Sequence, residues 1–310
     1  MGPSLTLSDT PTPLQNSQLL DGWRVHQQQA VEQALSNWVR ADAPAGLGEA
    51  MRYAVLDGGK RLRPLLVLAT AEALGGHREA AMRAACATEL IHAYSLVHDD
   101  MPCMDNDVLR RGKPTVHVRF GEAQALLAGD ALQALAFELL VPDASAVPPA
   151  MAVHLCRLLA CAAGADGMAG GQAVDLASVG FTLELPALEA MHRRKTGALL
   201  RASVLMGAAT GEPDRNTWEQ LDRFGAALGL AFQVVDDILD VTADSATLGK
   251  TAGKDAACDK PTFVSLMGLD QAQAYADEVL AQAHEALRLS RIVNRDILHG
   301  LADWVGRRSS

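Results

Sequence analysis

Apolar residues recur at steps of three and four along most of the chain, and convincing residue-by-residue alternation is absent. In "GLDQAQAYADEVLAQAHEALRLS", Leu269, Ala272, Ala276, Val279, Ala283 and Leu287 form one stripe at that spacing, the mark of an amphipathic helix. "LEAMHRRKTGALLRASVLMGAATG" and "WEQLDRFGAALGLAFQVVDDILD" are long, rich in Ala and Leu, and free of Pro, so helix is predicted there as well. Breaks are predicted where Gly and Pro cluster, at "DGGKRLRP", "LGGH", "DDMPCMDND", "VPDASAVPP", "SVGFTLELP" and "TGEPD". No long linker, fixed-period repeat or shift in composition divides the chain. The pattern predicts one all-α domain over residues 18–310, a single bundle of roughly ten helices. A polar, Pro-rich tail is expected over residues 1–17.

Composition narrows the class. The chain has 310 residues, 49% of them hydrophobic, enough for a sizeable core. Its net charge of -10 argues against general nucleic-acid binding, which needs a basic face. No run approaches the roughly 18 apolar residues of a membrane span, so no span is expected. Five cysteines without a CxxC pair indicate a reducing compartment and buried thiols, with neither a disulfide frame nor a zinc site. A cytoplasmic location is expected.

Two acidic clusters break the apolar pattern. "VHDDMPCMDND" places Asp99, Asp100, Asp105 and Asp107 directly after an apolar run, and "FQVVDDILD" places Asp236, Asp237 and Asp240 after another. Asp236 and Asp240 are four apart and share a helix face with Gln233. In the first cluster Pro102 cannot donate to a helix and disfavours helical geometry at Met101, which lets Asp105 return beside Asp99. Carboxylates facing one another in a low-dielectric cavity repel unless cations neutralise them. Oxygen donors without paired Cys point to Mg²⁺ over zinc. Since Mg²⁺ keeps waters and shares its shell with phosphates, a phosphorylated substrate is predicted.

The basic residues are placed to meet such a substrate. "GGKRLRP" offers Lys60, Arg61 and Arg63 at a helix start, "LRRGKPT" offers Arg110 and Arg111, and "RRKTG" offers Lys195 beside Thr196. "LGKTAGKDAACDKP" adds Lys250, Lys254 and Lys260.

The ordered set "GGKRLRP", "ELIHAYSLVHDDMPCMDNDVLRRGKPT", "GGQAVDL", "RRKTGALL" and "GLAFQVVDDILDVTADSATLGKTAGKD" resembles the trans-isoprenyl diphosphate synthases, and more narrowly the bacterial farnesyl diphosphate synthases. The resemblance runs from Gly46 to Gly268 and implies a helical bundle around a deep central cavity, usually a homodimer. It implies Mg²⁺ as cofactor, three ions per site, with Mn²⁺ as a substitute. The implied reaction condenses isopentenyl diphosphate with an allylic diphosphate. By resemblance Asp99 and Asp105, assisted by Asp100, hold two ions. Asp236 holds the third, with Asp237 and Asp240 orienting its waters. Arg110, Lys195, Lys250 and Lys260 meet the allylic diphosphate, while Lys195, Thr196 and Gln233 surround the allylic cation. Lys60, Arg63, His92 and Arg111 take isopentenyl diphosphate.

In that family the position of Tyr94, five residues before Asp99, forms the floor of the elongation cavity, and Ser95 beside it fits the same type. A bulky ring there implies a (2E,6E)-farnesyl (C15) product, with geranyl (C10) and geranylgeranyl (C20) as the alternatives on the same machinery. A terpene cyclase or squalene-type synthase would not need Lys60, Arg63 and Arg111. A non-catalytic subunit typically lacks one acidic motif, and both are complete here.

Overall fold

The computed structural model describes residues 13–56, 58–181, 183–242 and 261–307. The chain forms α1 (Pro13–Trp38), α2 (Leu47–Val55), α3 (Leu62–Ala73) and α4 (Arg78–Asp99), then a small hairpin of β1 (Leu109–Arg110) and β2 (Lys113–Pro114). There follow α5 (Val116–Phe120), α6 (Glu122–Leu140), α7 (Pro149–Ala163), α8 (Met168–Ala177) and α9 (Leu185–His192). A π-helical turn (Arg193–Gly197) leads into α10 (Ala198–Ala209), α11 (Arg215–Thr242), α12 (Phe263–Met267), α13 (Leu269–Leu289) and α14 (Asp296–Gly306).

The all-α class is the one the periodicity predicts. Twelve α-helices of eight residues or more stand among the described residues. One predicted helix, "LEAMHRRKTGALLRASVLMGAATG", is divided into α9 and α10 by the π turn inside it. α1 already begins at Pro13, within the expected tail, and residues 1–12 lie outside the described residues.

Packing runs from neighbour to neighbour: α6 on α4, α4 on α3, α3 on α10, α10 on α11 and α11 on α13. α3 and α10 are the shared wall. Val67, Leu68 and Ala71 of α3 face the apolar cluster of α1, α2, α4, α6 and α7. Leu62, Leu65, Leu66 and Ala69 of the same helix face the cluster of α9, α11, α13 and α14. A fully buried Leu or Ile, as at Leu90 and Ile91, contributes about 1.5–3 kcal/mol, so the ends of α4 and α11 that carry the acids are held by the whole core.

The hairpin was not anticipated from the periodicity, since two-residue strands leave no alternation to read. Its turn has Arg111 at φ 52° and Gly112 at φ 72°, the left-handed pair that matches the twist of a tight hairpin. This turn directs Arg110 and Arg111 to different places. α6 is long and apolar enough to cross a membrane by length and composition alone. It packs against α4 through Ala125, Ala128, Leu132 and Ala136 and leaves Leu126 and Leu127 exposed.

Candidate active site

The first acidic cluster is built on the end of α4. Beyond Asp99 the chain turns back: the Asp105 amide donates to the Asp99 carbonyl at 2.8 Å, and the Asp107 amide donates to the Asp100 carbonyl at 3.1 Å. Gln172 of α8 donates to Asp99 Oδ1 at 2.7 Å. Burial pushes the Asp99 carboxyl up to about 6; the Asp105 charge adds to the rise, while Lys195 opposes it.

Asp100 has a different environment. It is 2% exposed and accepts from Arg110 on both oxygens, from Nε at 3.0 and 2.8 Å and from Nη2 at 2.5 Å. The structure thus joins Asp100 and Arg110 to each other, while the family resemblance implies a metal for one and a diphosphate for the other. Adjacent residues at a helix end point different ways, and Asp99 and Asp100 accordingly meet different partners, Gln172 and Arg110.

The π turn connects this cluster to the second one. Lys195 donates to Asp175 of α8 at 2.6 Å and lies close enough to Asp99 for its charge to act there. Its neighbour Thr196 donates to Gln233 Oε1 of α11 at 2.7 Å. Gln233 in turn donates to Asp237 Oδ1 at 2.8 Å, and the Phe263 amide donates to Asp237 Oδ2 at 2.8 Å.

These contacts orient the Gln233 amide, nitrogen toward the carboxylate and oxygen toward the hydroxyl. Gly171 makes the junction close: a Cβ there would clash with the Lys195 backbone. A widened turn of this kind is a common device for aiming side chains at a functional site. Asp236 lies on the Gln233 face of α11, and Asp240 is 5% exposed. His192, at the entry to the turn, lies tilted against Phe263, ring centroids 5.4 Å apart, with both ring nitrogens buried and lacking a hydrogen-bond partner. Burial pushes its imidazole down to about 4, so it packs there as a neutral ring.

A positive cluster stands beside α4. Burial, together with the charges of Arg63, Arg111 and Arg110, holds the His92 imidazole well below its usual range. Arg111 donates to the Gly58 carbonyl at 2.9 Å, with its guanidinium across Gly59, which brings the hairpin turn onto the loop carrying Lys60, just ahead of Arg63 in the first turn of α3. Crowded cations of this kind favour an anionic ligand.

Arg61 does not join them. It is 4% exposed, donating at 2.6 Å to Glu89, at 2.6 Å to Glu32 and at 2.5 Å to the Val55 carbonyl. The sequence offers it as an anion-binding residue; its left-handed backbone, φ 51°, sends it inward instead. An open cleft lies between α2, α4 and the hairpin, lined by Tyr53, Leu56, Leu96 and Val97 and, on its polar side, by Asp100, Arg110 and Arg111.

Gln172 and Asp175 were assigned no role from sequence. "GGQAVDL" contained the signal, an amide and a carboxylate three residues apart on one helix face. Tyr94 is 8% exposed, and the Ser95 hydroxyl donates to the His92 carbonyl at 2.8 Å. Lys250, Lys254 and Lys260 lie outside the described residues.

The donor set fits a hard divalent cation. Asp99 and Asp105 crowd closely enough to raise the Asp99 carboxyl, and the donors are oxygens. Among the described residues no three His, Cys, Asp or Glu side chains converge on one point. Ions held here therefore complete their shells with water and phosphate oxygens, as Mg²⁺ does. Thr196→Val removes the proton that Gln233 Oε1 accepts; kcat is expected to fall about tenfold, read by steady-state kinetics beside an unchanged melting temperature.

A family model described as polyprenyl synthetase matches residues 44–294. The chain is 52% identical over 272 residues to a probable farnesyl diphosphate synthase of Sinorhizobium fredii, covering 86% of this chain and 81% of that one. It is 48% identical over 284 residues to geranylgeranyl pyrophosphate synthase 7, chloroplastic, of Arabidopsis thaliana, covering 91% and 82%. Among solved structures, a geranyltransferase of Helicobacter pylori complexed with magnesium and isoprenyl diphosphate superposes with TM-score 0.81 at 35% identity, covering 96% of this chain and 98% of that one. Fold, motif order and these matches agree that the chain belongs to the polyprenyl synthetase family.

Proposed function

We propose that the protein condenses isopentenyl diphosphate head-to-tail with dimethylallyl and then geranyl diphosphate, giving (2E,6E)-farnesyl diphosphate. The observation that carries this reading is the π turn, where the charge of Lys195 acts on Asp99 and the adjacent Thr196 bonds Gln233, itself bonded to Asp237. A diphosphate lying between α4 and α11 would be flanked by Asp99 and Asp105 on one side and by Asp236 on the other.

Mg²⁺, held by these aspartates when bound, supplies the positive charge that the departing diphosphate needs. Three such ions form part of the proposal, supported by the split donor set. Lys195 stands ready to transfer from Asp175 to the diphosphate, and Arg110, kept in place by Asp100, adds charge at the same end. As the allylic C–O bond breaks, the cation meets the Thr196 oxygen, whose own proton is engaged by Gln233. Asp237 keeps Gln233 in that orientation. Isopentenyl diphosphate is assigned to Lys60, Arg63, Arg111 and neutral His92. Its double bond attacks the cation, and the released diphosphate takes the proton.

The C15 product rests on Tyr94 as the floor of a deep central cavity. The geranylgeranyl name of the Arabidopsis relative supports C20 as the second reading. Labelled isopentenyl diphosphate with each allylic starter, followed by product chromatography, separates them. Tyr94→Ala is expected to lengthen the product, and an unchanged distribution would remove Tyr94 from the role.

A homodimer in the cytoplasm belongs to the same proposal. Leu126 and Leu127 of α6 are 47% and 52% exposed, apolar surface that a second copy would cover. Light scattering of the purified chain tests it, and a monomer at working concentration refutes it.

A further inference from the structure

Tyr94 and His98 are four residues apart on α4, so their side chains rise from one face of that helix. Their ring centroids are 5.7 Å apart at 76°, an edge-to-face contact of the attractive kind. His98 is itself anchored from the opposite helix. Its Nε2 lies 3.1 Å from the Leu126 carbonyl of α6; a carbonyl only accepts, so Nε2 carries the proton. Gly129, three residues further along α6, lies against the same imidazole, and a Cβ there would clash with Nε2 and Cδ2. The histidine is therefore pinned by a backbone acceptor and by the close approach of a glycine. Tyr94, set among the aliphatic side chains of the α4–α6 core, thus has one fixed ring among its neighbours.

We propose that His98, anchored on Leu126 and Gly129, is a positioning residue that holds the Tyr94 ring in place and so sets where the growing isoprenoid chain stops. The inference rests on the reading of Tyr94 as the floor of the elongation cavity. With His98 removed, the tyrosine ring gains room toward α6 and the floor yields. With His98 pushed toward Tyr94, the floor advances and the chain stops earlier.

The test compares full-length variants by chromatography of the products formed from isopentenyl diphosphate with dimethylallyl or geranyl diphosphate in Mg²⁺. His98→Ala is expected to raise the ratio of C20 to C15 product about fivefold, the scale set by one aromatic pair. His98→Phe, which keeps a ring against Tyr94, should change that ratio less than about twofold. Gly129→Ala should shift the distribution toward C10 without altering any group that meets substrate.

If His98 only packs α4 on α6, His98→Ala lowers the melting temperature and leaves the product ratio at the wild-type value. That result, beside a Tyr94→Ala variant that does lengthen the product, overturns the proposal while the floor reading stands. An unchanged ratio in Tyr94→Ala removes both. A folded Gly129→Ala protein with unchanged or longer product also overturns it; should that variant fail to fold, the two His98 variants decide.

Discussion

Asp99→Asn and Asp236→Asn are each expected to lower turnover by about 10³-fold or more, with the helical fold retained. Each change removes one carboxylate from a different acidic cluster, and the proposed leaving group needs charge from both. Turnover at saturating Mg²⁺, beside far-UV circular dichroism, checks this; near-wild-type rates in either variant would refute the metal assignment.

Asp99→Asn carries a second expectation of opposite sign. Without metal, burial and Asp105 hold the Asp99 carboxyl at about 6 in the folded chain, against about 3.9 when unfolded. A raised folded value means that the native state binds this proton more tightly. The stabilisation from Asp99 is complete below the unfolded value and is lost as pH rises through about 6. At pH 7 the ionised group costs on the order of 2 kcal/mol. The metal-free variant should therefore melt above the metal-free wild type at pH 7, and the difference should shrink toward pH 4. Since ions need the ionised carboxylate, Mg²⁺ affinity of the wild type should weaken below about pH 6. An identical pH profile of melting in the two proteins would remove Asp99 as the titrating group.

Arg61→Met is expected to cost a large share of stability although it lies outside the proposed site. Arg61 and Glu89 are 4% and 2% exposed, joined at 2.6 Å, with Glu32 on the second guanidinium nitrogen. Removing the cation leaves Glu89 as a buried charge without its partner, which costs about 3–5 kcal/mol. Replacing both partners is less harmful than replacing one, so Arg61→Met with Glu89→Gln should recover part of the loss. Urea denaturation of the single and double variants measures this. A single variant within 1 kcal/mol of wild type would show that the pair does not anchor the loop. Because Lys60 on that loop and Arg63 in the first turn of α3 flank Arg61, the single variant should also raise KM for isopentenyl diphosphate.

The contrast between Arg61 and its neighbours shows where sequence stops being informative. "GGKRLRP" is uniformly basic, and nothing in its composition separates the residue that goes inward from those that stay outside. The left-handed backbone at Arg61 and the partners Glu89 and Glu32 come from α4 and α1, 28 and 29 residues away in sequence. Asp100 and Arg110 follow the same logic. Each carries a charge that suits a diphosphate site, and only the hairpin turn at Arg111 and Gly112 sends Arg110 to Asp100 and Arg111 to the glycine loop. Gln172 and Asp175 were legible as a motif but had no role until α8 was laid against the π turn at Gly171.

The sequence by itself determined the all-α class, the position of both acidic clusters at the ends of apolar helices, and the chemistry of oxygen donors with cations for a phosphorylated ligand. Those features follow from spacing within one helix, where a period of 3.6 residues settles which side chains share a face. Only the tertiary structure decided which carboxylate meets which cation, and that one π turn sets Lys195 within electrostatic range of Asp99 and Thr196 on Gln233. Such pairings depend on how closely separate helices approach and how each turn between them closes. A glycine, a left-handed residue or one extra residue in a helical turn changes those quantities without altering the local periodicity.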